Sequence, residues 1–391
     1  MNTMNRRDRN TFLPYGKQWI DDEDIAAVVD VLQGDFITQG PAIERFERAV
    51  AEYVGAKYVV AFSNGTAALH GACYAAGISP GDEVITTPIT FLASSNCILY
   101  CGGTPVFADI RPDTYNLDPD DVERKINSKS KAIIAVDFSG QPVETDRFSK
   151  LAKEHGLVFI QDAAHSLGAS YEGRKVGTLA DMTMFSFHPV KHVTTGEGGV
   201  IATDSEEYRD RLLAFRSHGM TKDPALLERN DGPWYYEMQS LGYNYRITDI
   251  QAALGASQMN KLDRFVVRRR EIAEQYNRAF ADFECIMRPY QHPKSNSSWH
   301  LYVIRWRVGI DRADAFAELR KRNIGVHVHY IPVYKQPYYR DLGYADQQCP
   351  EAEAYYEEAM SLPIFPAMSD DDVQDVIHAV LRTAGKTYEV L

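Results

Sequence analysis

The stretch Ser186-Phe-His-Pro-Val-Lys191-His-Val-Thr-Thr-Gly-Glu-Gly-Gly199 decides how this chain is read. It begins within the apolar run Met182 to Phe187 and ends where a second run, Val200 to Thr203, starts. Lys191 therefore lies just past the end of a strand, between an apolar segment and a glycine-rich turn. Partial desolvation at such a place favours the uncharged amine, the form that can attack a carbonyl carbon. Ser186 offers a hydroxyl at the same strand end. A surface lysine and an unremarkable serine fit the same pattern, so the neighbouring strands have to decide.

Upstream the chain alternates short apolar runs with helical stretches: Tyr58 to Phe62, Glu83 to Thr87, Pro105 to Asp109, Ala132 to Phe138 and Leu157 to Gln161. With the two runs beside Lys191, this predicts a mostly parallel seven-stranded α/β sheet flanked by helices. Ligands in open α/β sheets sit at the carboxyl ends of the strands. After the first run, Asn64-Gly65-Thr66 opens a helix and aims backbone N–H groups and the helix dipole at whatever lies beyond, which suits a phosphate. The same three residues are also ordinary turn and cap residues. Phe91, after the second run, can lie flat on a planar ring or serve as a core residue. Asp162, after the fifth, can hold a pyridine nitrogen protonated, or cap a helix. His165 can donate to a ring oxygen or sit as a satisfied polar residue. Singly each has its plainer role. In this order they assign Lys191 to chemistry.

Two amphipathic helices precede the first strand. Ile25, Val28, Val29 and Leu32 recur at helical spacing before Gly34, and Ile43, Phe46, Val50 and Val54 mark the buried face of the next helix, which ends at Gly55. Beyond about residue 260 the texture becomes more polar and helical, with one strand-like stretch, Trp299 to Val308. The expected organisation is a large cofactor-binding domain over 12–260, including the N-terminal helical segment, and a smaller α+β domain over 261–391. Arg268-Arg269-Arg270 reads as a solvated helix face.

Bulk properties narrow the class. A formal charge of −12 argues against nucleic acid as a partner, because phosphate-backbone binders concentrate Lys and Arg. Met1 to Asn10 is polar and carries no apolar run, so neither export nor a membrane is expected and the protein is placed in the cytoplasm. The five cysteines (Cys73, Cys97, Cys101, Cys285, Cys349) lack Cys-x-x-Cys spacing and read as reduced thiols, and no metal site is expected.

The assembled motifs resemble those of the sugar aminotransferases of the DegT/DnrJ/EryC1/StrS group, within the aspartate-aminotransferase-like pyridoxal-phosphate (PLP) fold type I. The motifs are Thr38-Gln39-Gly40-Pro41, Ser63-Asn64-Gly65-Thr66-Ala67-Ala68, Gln161-Asp162-Ala163-Ala164-His165, the Ser186 to Gly199 segment, Gly242-Tyr243-Asn244-Tyr245-Arg246 and His329-Tyr330. The resemblance runs from about Phe12 to Leu362-Pro363-Ile364-Phe365-Pro366. It implies that Lys191 carries pyridoxal 5'-phosphate in Schiff-base linkage, that Asp162 pairs with the ring nitrogen, that Phe91 stacks on the ring, and that Gly65, Thr66 and Ser186 hold the phosphate. His165 falls where the family places a residue near the ring hydroxyl. Asn244 would reach the cofactor of a neighbouring subunit, implying a homodimer with shared active sites. Thr38, Gln39, His218, His329 and Tyr330 would line the sugar-nucleotide site. The implied reaction is ping-pong, with L-glutamate as donor, pyridoxamine 5'-phosphate between the half-reactions, and a nucleotide-linked keto sugar as acceptor.

Within the group, the Phe187 to Gly199 segment and Val136-Asp137-Phe138-Ser139-Gly140-Gln141-Pro142 most resemble C4 enzymes acting on UDP-4-keto-6-deoxy-N-acetylhexosamines, as in pseudaminic acid biosynthesis, where the product is UDP-4-amino-4,6-dideoxy-N-acetyl-β-L-altrosamine. Another dTDP- or GDP-linked, 3- or 4-keto sugar is the alternative. Related dehydratases replace the lysine by histidine or add a cysteine set for an iron–sulfur cluster, and this chain does neither. A non-catalytic regulator on the same fold is the rival from another class.

Overall fold

Each of the seven runs forms a strand of one sheet. In the computed structural model, which describes residues 9–307 and 309–388, these are β1 (Tyr58–Phe62), β2 (Glu83–Thr86), β3 (Thr104–Phe107), β4 (Ser130–Val136), β5 (Val158–Asp162), β6 (Met182–Ser186) and β7 (Gly199–Thr203). Met1 to Asp8, Val308 and 389–391 lie outside the described residues. That leaves out most of the N-terminal stretch, the last residue of the expected Trp299 to Val308 strand, and the end of the 261–391 segment. The strand order is β1-β7-β6-β5-β4-β2-β3. Only β7 runs antiparallel, pairing with β1 on one side and β6 on the other. Alternation along the buried strands feeds two cores. Ile133 and Ala135 of β4 pack with Phe148 and Leu151 of the helix Thr145–His155, while Ile134 packs with Leu69 and Ala72 of the helix Gly65–Ala75.

The second amphipathic helix, Pro41–Val54, buries Ile43, Phe46, Val50 and Val54 and ends at Gly55, whose φ of 79° only glycine adopts without strain. The first behaves differently. Its span, Asp22–Gln33, and its stop at Gly34 are as expected, but Ile25 is 54% and Leu32 55% exposed, while Asp24 is fully buried. The inward face is polar because Asp24 accepts hydrogen bonds from Ser257 and Gln258 and pairs with the ammonium of Lys261, leaving the apolar stripe outward.

The C-terminal segment contributes a three-stranded antiparallel sheet of Ile286–Met287, Tyr302–Trp306 and Ala359–Leu362. Around it pack the helices Leu262–Ala279, Arg312–Lys321 and Asp370–Tyr388, through Ile272, Tyr276, Leu319, Val376 and Val380. The helix Leu262–Ala279 gives Leu262, Phe265 and Val266 to a core of the large sheet and Ile272, Ala273 and Tyr276 to this one.

The arginine run on that helix is not a solvated face. Arg269 is fully buried, and its Nη1 donates to the carbonyls of Trp299 at 3.2 Å, His300 at 3.2 Å and Ile364 at 2.8 Å. Arg270 donates to Ser297 and Gly168 carbonyls, and Arg268 pairs with Glu271 and Asp370. Among the described residues only Nη1 finds acceptors, Nε and Nη2 having none, so charge-assisted bonds offset part of the cost of burying the guanidinium, and burial lowers its pKa to about 9. Arg269→Met, which keeps the stem and removes the donors, is expected to destabilise the protein by about 3 kcal/mol, read as a lowered denaturant midpoint.

Candidate active site

The carboxyl ends of β1, β2, β5 and β6 open into one cavity of about 860 Å³ lined by Gly65, Thr66, Phe91, Asp162, His165, Ser186, Lys191, His329 and Tyr330, among others. Its floor is built at the β1–β7 edge. Asn64 caps the helix Gly65–Ala75 by accepting from Ala67 N–H at 2.8 Å. Among the described residues, the N–H groups of Gly65 and Thr66 take no protein acceptor, leaving two donors and the helix dipole free for an anion. A Cβ on Gly199 would lie 2.6 Å from the Asn64 carbonyl oxygen and 2.7 Å from the Gly65 Cα, so only glycine lets the two chains approach. Ser186 pairs with Gly199 in the sheet, which sets its hydroxyl beside Gly65.

Lys191 sits on the excursion between β6 and β7, and the residue types of that loop explain its shape. Phe187 N–H donates to Gly198, and Thr195 N–H donates to Phe187. The Thr194 hydroxyl donates to Phe187 O at 2.9 Å and accepts from Gly196 N–H at 2.9 Å. The Thr195 hydroxyl closes on Glu197 O, which Gln251 also holds. The loop is thereby fixed by its own threonines, and it holds the lysine partly buried at the cavity. Burial lowers the Lys191 pKa to about 8 against the opposing pull of the Asp162 charge, with Arg269 adding to the lowering.

Asp162 is the last residue of β5, paired with Val136 and Met184 on its two sides. Burial pushes its carboxyl pKa up, while the Ser94 hydroxyl at 2.6 Å, the Ala164 N–H at 3.1 Å and the Lys191 charge act the other way. Thr90 shares a 2.7 Å hydrogen bond with Ser94, so two hydroxyls stand in line behind the carboxylate. His165 is buried, with Nε2 3.4 Å from the Tyr330 hydroxyl and Nδ1 without a protein partner. Phe91 is 60% exposed on the cavity wall, an aromatic face open to the space rather than a core residue. A buried carboxylate, an imidazole nitrogen unpaired among the described residues, an open aromatic face, free backbone donors and a lysine of lowered pKa together match the polar atoms of a phosphorylated pyridine aldehyde. No group of three or more His, Cys, Asp or Glu that could hold a metal occurs among the described residues. All five cysteines are free.

Not every expected residue lines this cavity. His329 and Tyr330 do, with His329 Nδ1 2.8 Å from the Ser361 hydroxyl. Thr38, Gln39, His218 and Asn244 lie exposed elsewhere on the chain, Thr38 bridged to Thr248 and Asn244 to Ser217. The sequence reading missed Ser94, Tyr15, His300 and His327, all on the cavity wall. Ser94 stands one helical turn past Phe91 and was in reach of a spacing argument. His300 is brought in by the C-terminal segment, and nothing local marks it.

Comparison with known proteins agrees with this geometry. The model of the DegT/DnrJ/EryC1/StrS aminotransferase family matches residues 18–381. The chain is 42% identical over 377 residues to the spore coat polysaccharide biosynthesis protein SpsC of Bacillus subtilis (strain 168), covering 95% of this chain and 97% of that one. Among solved structures, Helicobacter pylori PseC, an aminotransferase involved in the biosynthesis of pseudaminic acid, superposes with a TM-score of 0.90 at 36% identity over 96% of this chain and all (100%) of its own. The Streptococcus pneumoniae putative sugar aminotransferase Spr1654 in its PLP form gives a TM-score of 0.90 at 31% identity, covering 96% of this chain and 99% of that one.

Proposed function

Since the chain belongs to the DegT/DnrJ/EryC1/StrS aminotransferase family and is a PLP-dependent sugar aminotransferase, we propose that it moves the amino group of L-glutamate to C4 of a UDP-linked 4-keto-6-deoxy-N-acetylhexosamine, in pseudaminic acid biosynthesis. The observation that carries the reaction class is the single cavity in which Lys191 and Asp162 meet above an anion cradle. The likeness to PseC supports the choice of sugar.

Gly65, Thr66 and Ser186 would hold the phosphate, Asp162 the ring nitrogen, His165 the ring hydroxyl, and Phe91 one ring face. PLP, when bound, supplies a carbonyl that exchanges with amines and a ring that takes up the electrons of a broken C–H bond. The protein's part is positional and acid–base. Asp162, held by Ser94 and the Ala164 N–H, presents a fixed negative charge. Lys191 Nζ, uncharged above a pH of about 8, would move a proton from the donor carbon to the cofactor in the first half-reaction and from the cofactor to the acceptor carbon in the second. His329 and Tyr330 line the same cavity.

Supplying the protein with glutamate and UDP-, dTDP- or GDP-linked keto sugars, and following 2-oxoglutarate release, tests the substrate. Release with the UDP-linked 4-keto sugar is the expected result. Release only with dTDP or GDP sugars would overturn the pseudaminic reading in favour of another sugar nucleotide, and no release with any would favour a regulator.

The protein is proposed to work as a homodimer in which Asn244, Thr38, Gln39 and His218 serve the partner's cavity. The uncovered apolar stripe of Ile25, Val29 and Leu32, continued by Phe36 and Ile37, supports a covering subunit. Mixing inactive Lys191→Ala subunits with inactive Asn244→Ala subunits is then expected to restore about a quarter of the wild-type activity, since half the dimers are mixed and each has one intact site. No recovery after verified subunit exchange would place Asn244 in its own subunit's site or outside the chemistry.

A further inference from the structure

The side-chain amine of Lys191 has one hydrogen-bond partner among the described residues, and it is not Asp162. Its Nζ lies 3.5 Å from Nε2 of His300, at the outer edge of hydrogen-bond range, where contacts in ligand-free sites often stand before they tighten. His300 is 4% exposed and comes from the segment just before the strand Tyr302–Trp306. Several features fix its place. Arg269 donates to its carbonyl at 3.2 Å, and a Cβ on Gly140 would stand 2.8 Å from its backbone nitrogen, so the segment is seated against the Phe138–Gly140 turn with no side chain between. The ring lies against that of His165, with centroids 4.3 Å apart, and near His192 at 5.6 Å. His192 is anchored on the Ser298 carbonyl at 3.1 Å, which commits its Nε2 to that carbonyl and not to the lysine. The other nitrogen of His300, Nδ1, is buried without a protein partner.

We propose that His300 is a positioning residue for the transfer chemistry: its Nε2 receives the Lys191 amine whenever that amine is detached from the cofactor and keeps it at the cavity. A partly buried amine gains from a partner, because a polar group shielded from water is costly to leave unpaired. A carboxylate would hold it as an ammonium ion and block its return as a nucleophile. A neutral imidazole accepts from it or donates to it without fixing its charge. The charged and titratable groups that bear most on His300 are Lys191, His165, His192 and Arg269, and Asp162 lines the same cavity. Those four act with burial to keep the imidazole neutral, its pKa lying well below the ordinary value.

This inference rests on Lys191 as the cofactor-bearing residue, and the test separates the two. Cofactor-free protein is mixed with PLP, the rate of covalent attachment is followed by absorbance, and the product is reduced with borohydride and mapped. A glutamine side chain places its amide near the position of Nε2, whereas an asparagine side chain ends near Nδ1. His300→Gln is therefore expected to attach PLP within about twofold of the wild-type rate, and His300→Asn about tenfold more slowly, the worth of one hydrogen bond. In turnover the same split is expected in kcat, with the KM for glutamate unchanged. Equal rates for the two variants, whether both fast or both slow, overturn the role of His300 and leave its ring as packing. A reduced label on a lysine other than Lys191 overturns the cofactor assignment itself, and this inference with it.

Discussion

Lys191→Ala is expected to lower turnover by about four orders of magnitude while leaving PLP bound without a covalent link. The phosphate cradle does not depend on the lysine. As proposed, it would be made by the Gly65 and Thr66 N–H groups and the Ser186 hydroxyl, on backbone fixed by the β1–β7 and β6–β7 pairing. What the variant loses is the group that moves the proton, and the neutral imidazoles beside it are poor substitutes. His165 and His300 are buried with pKa values well below the ordinary histidine range, which makes them weak bases. Purified variant protein should carry PLP that gel filtration in phosphate removes, and borohydride should label no lysine. Turnover within tenfold of wild type would assign the proton transfer elsewhere. The wild-type lysine adds a pH signature. With its pKa lowered to about 8, the amine is increasingly protonated below that pH, so PLP attachment to the cofactor-free protein should slow as pH falls through 8 and level off above it.

Asp162→Asn is expected to lower the rate of the glutamate half-reaction by about a thousandfold at nearly unchanged protein stability. The substitution keeps the volume at the end of β5 and an oxygen for Ser94 or the Ala164 N–H, so local packing survives. On the proposed pairing it removes the negative charge that would keep a ring nitrogen protonated, and with it the ring's capacity to hold electrons. The effect should sit in kcat, since the remaining contacts that bind PLP and substrate are in place. A loss confined to cofactor affinity, with the half-reaction unchanged in saturated enzyme, would reduce Asp162 to a binding residue.

The sheet was legible in the sequence because buried parallel strands must be apolar on both faces, and the seven runs end within two residues of the observed strands. The residues just after those runs were legible for the same reason: once a strand end is placed, topology puts Gly65, Phe91, Asp162 and Lys191 around one opening. Reading failed where burial depends on the partner and not on the residue. Arg269 is charged and sits in a run of arginines, and only the convergence of three carbonyls makes its interior place tolerable. Ile25 and Leu32 are apolar and helical, yet the polar face turned inward because Lys261, far along the chain, waits for Asp24. His300 was invisible for a third reason. Its role comes from a segment more than a hundred residues from Lys191, and no local pattern encodes that meeting.

The helix Leu262–Ala279 carries a further consequence. Because successive turns of it complete two different cores, the chain has no seam at which evolution or an engineer can exchange the C-terminal part as a cassette. A graft joined before Leu262 would deprive the large sheet of Phe265 and Val266, and one joined after Ala279 would deprive the recipient of Ile272 and Tyr276. Changes of sugar preference in proteins built this way are therefore more accessible through point substitution and loop variation than through recombination of halves.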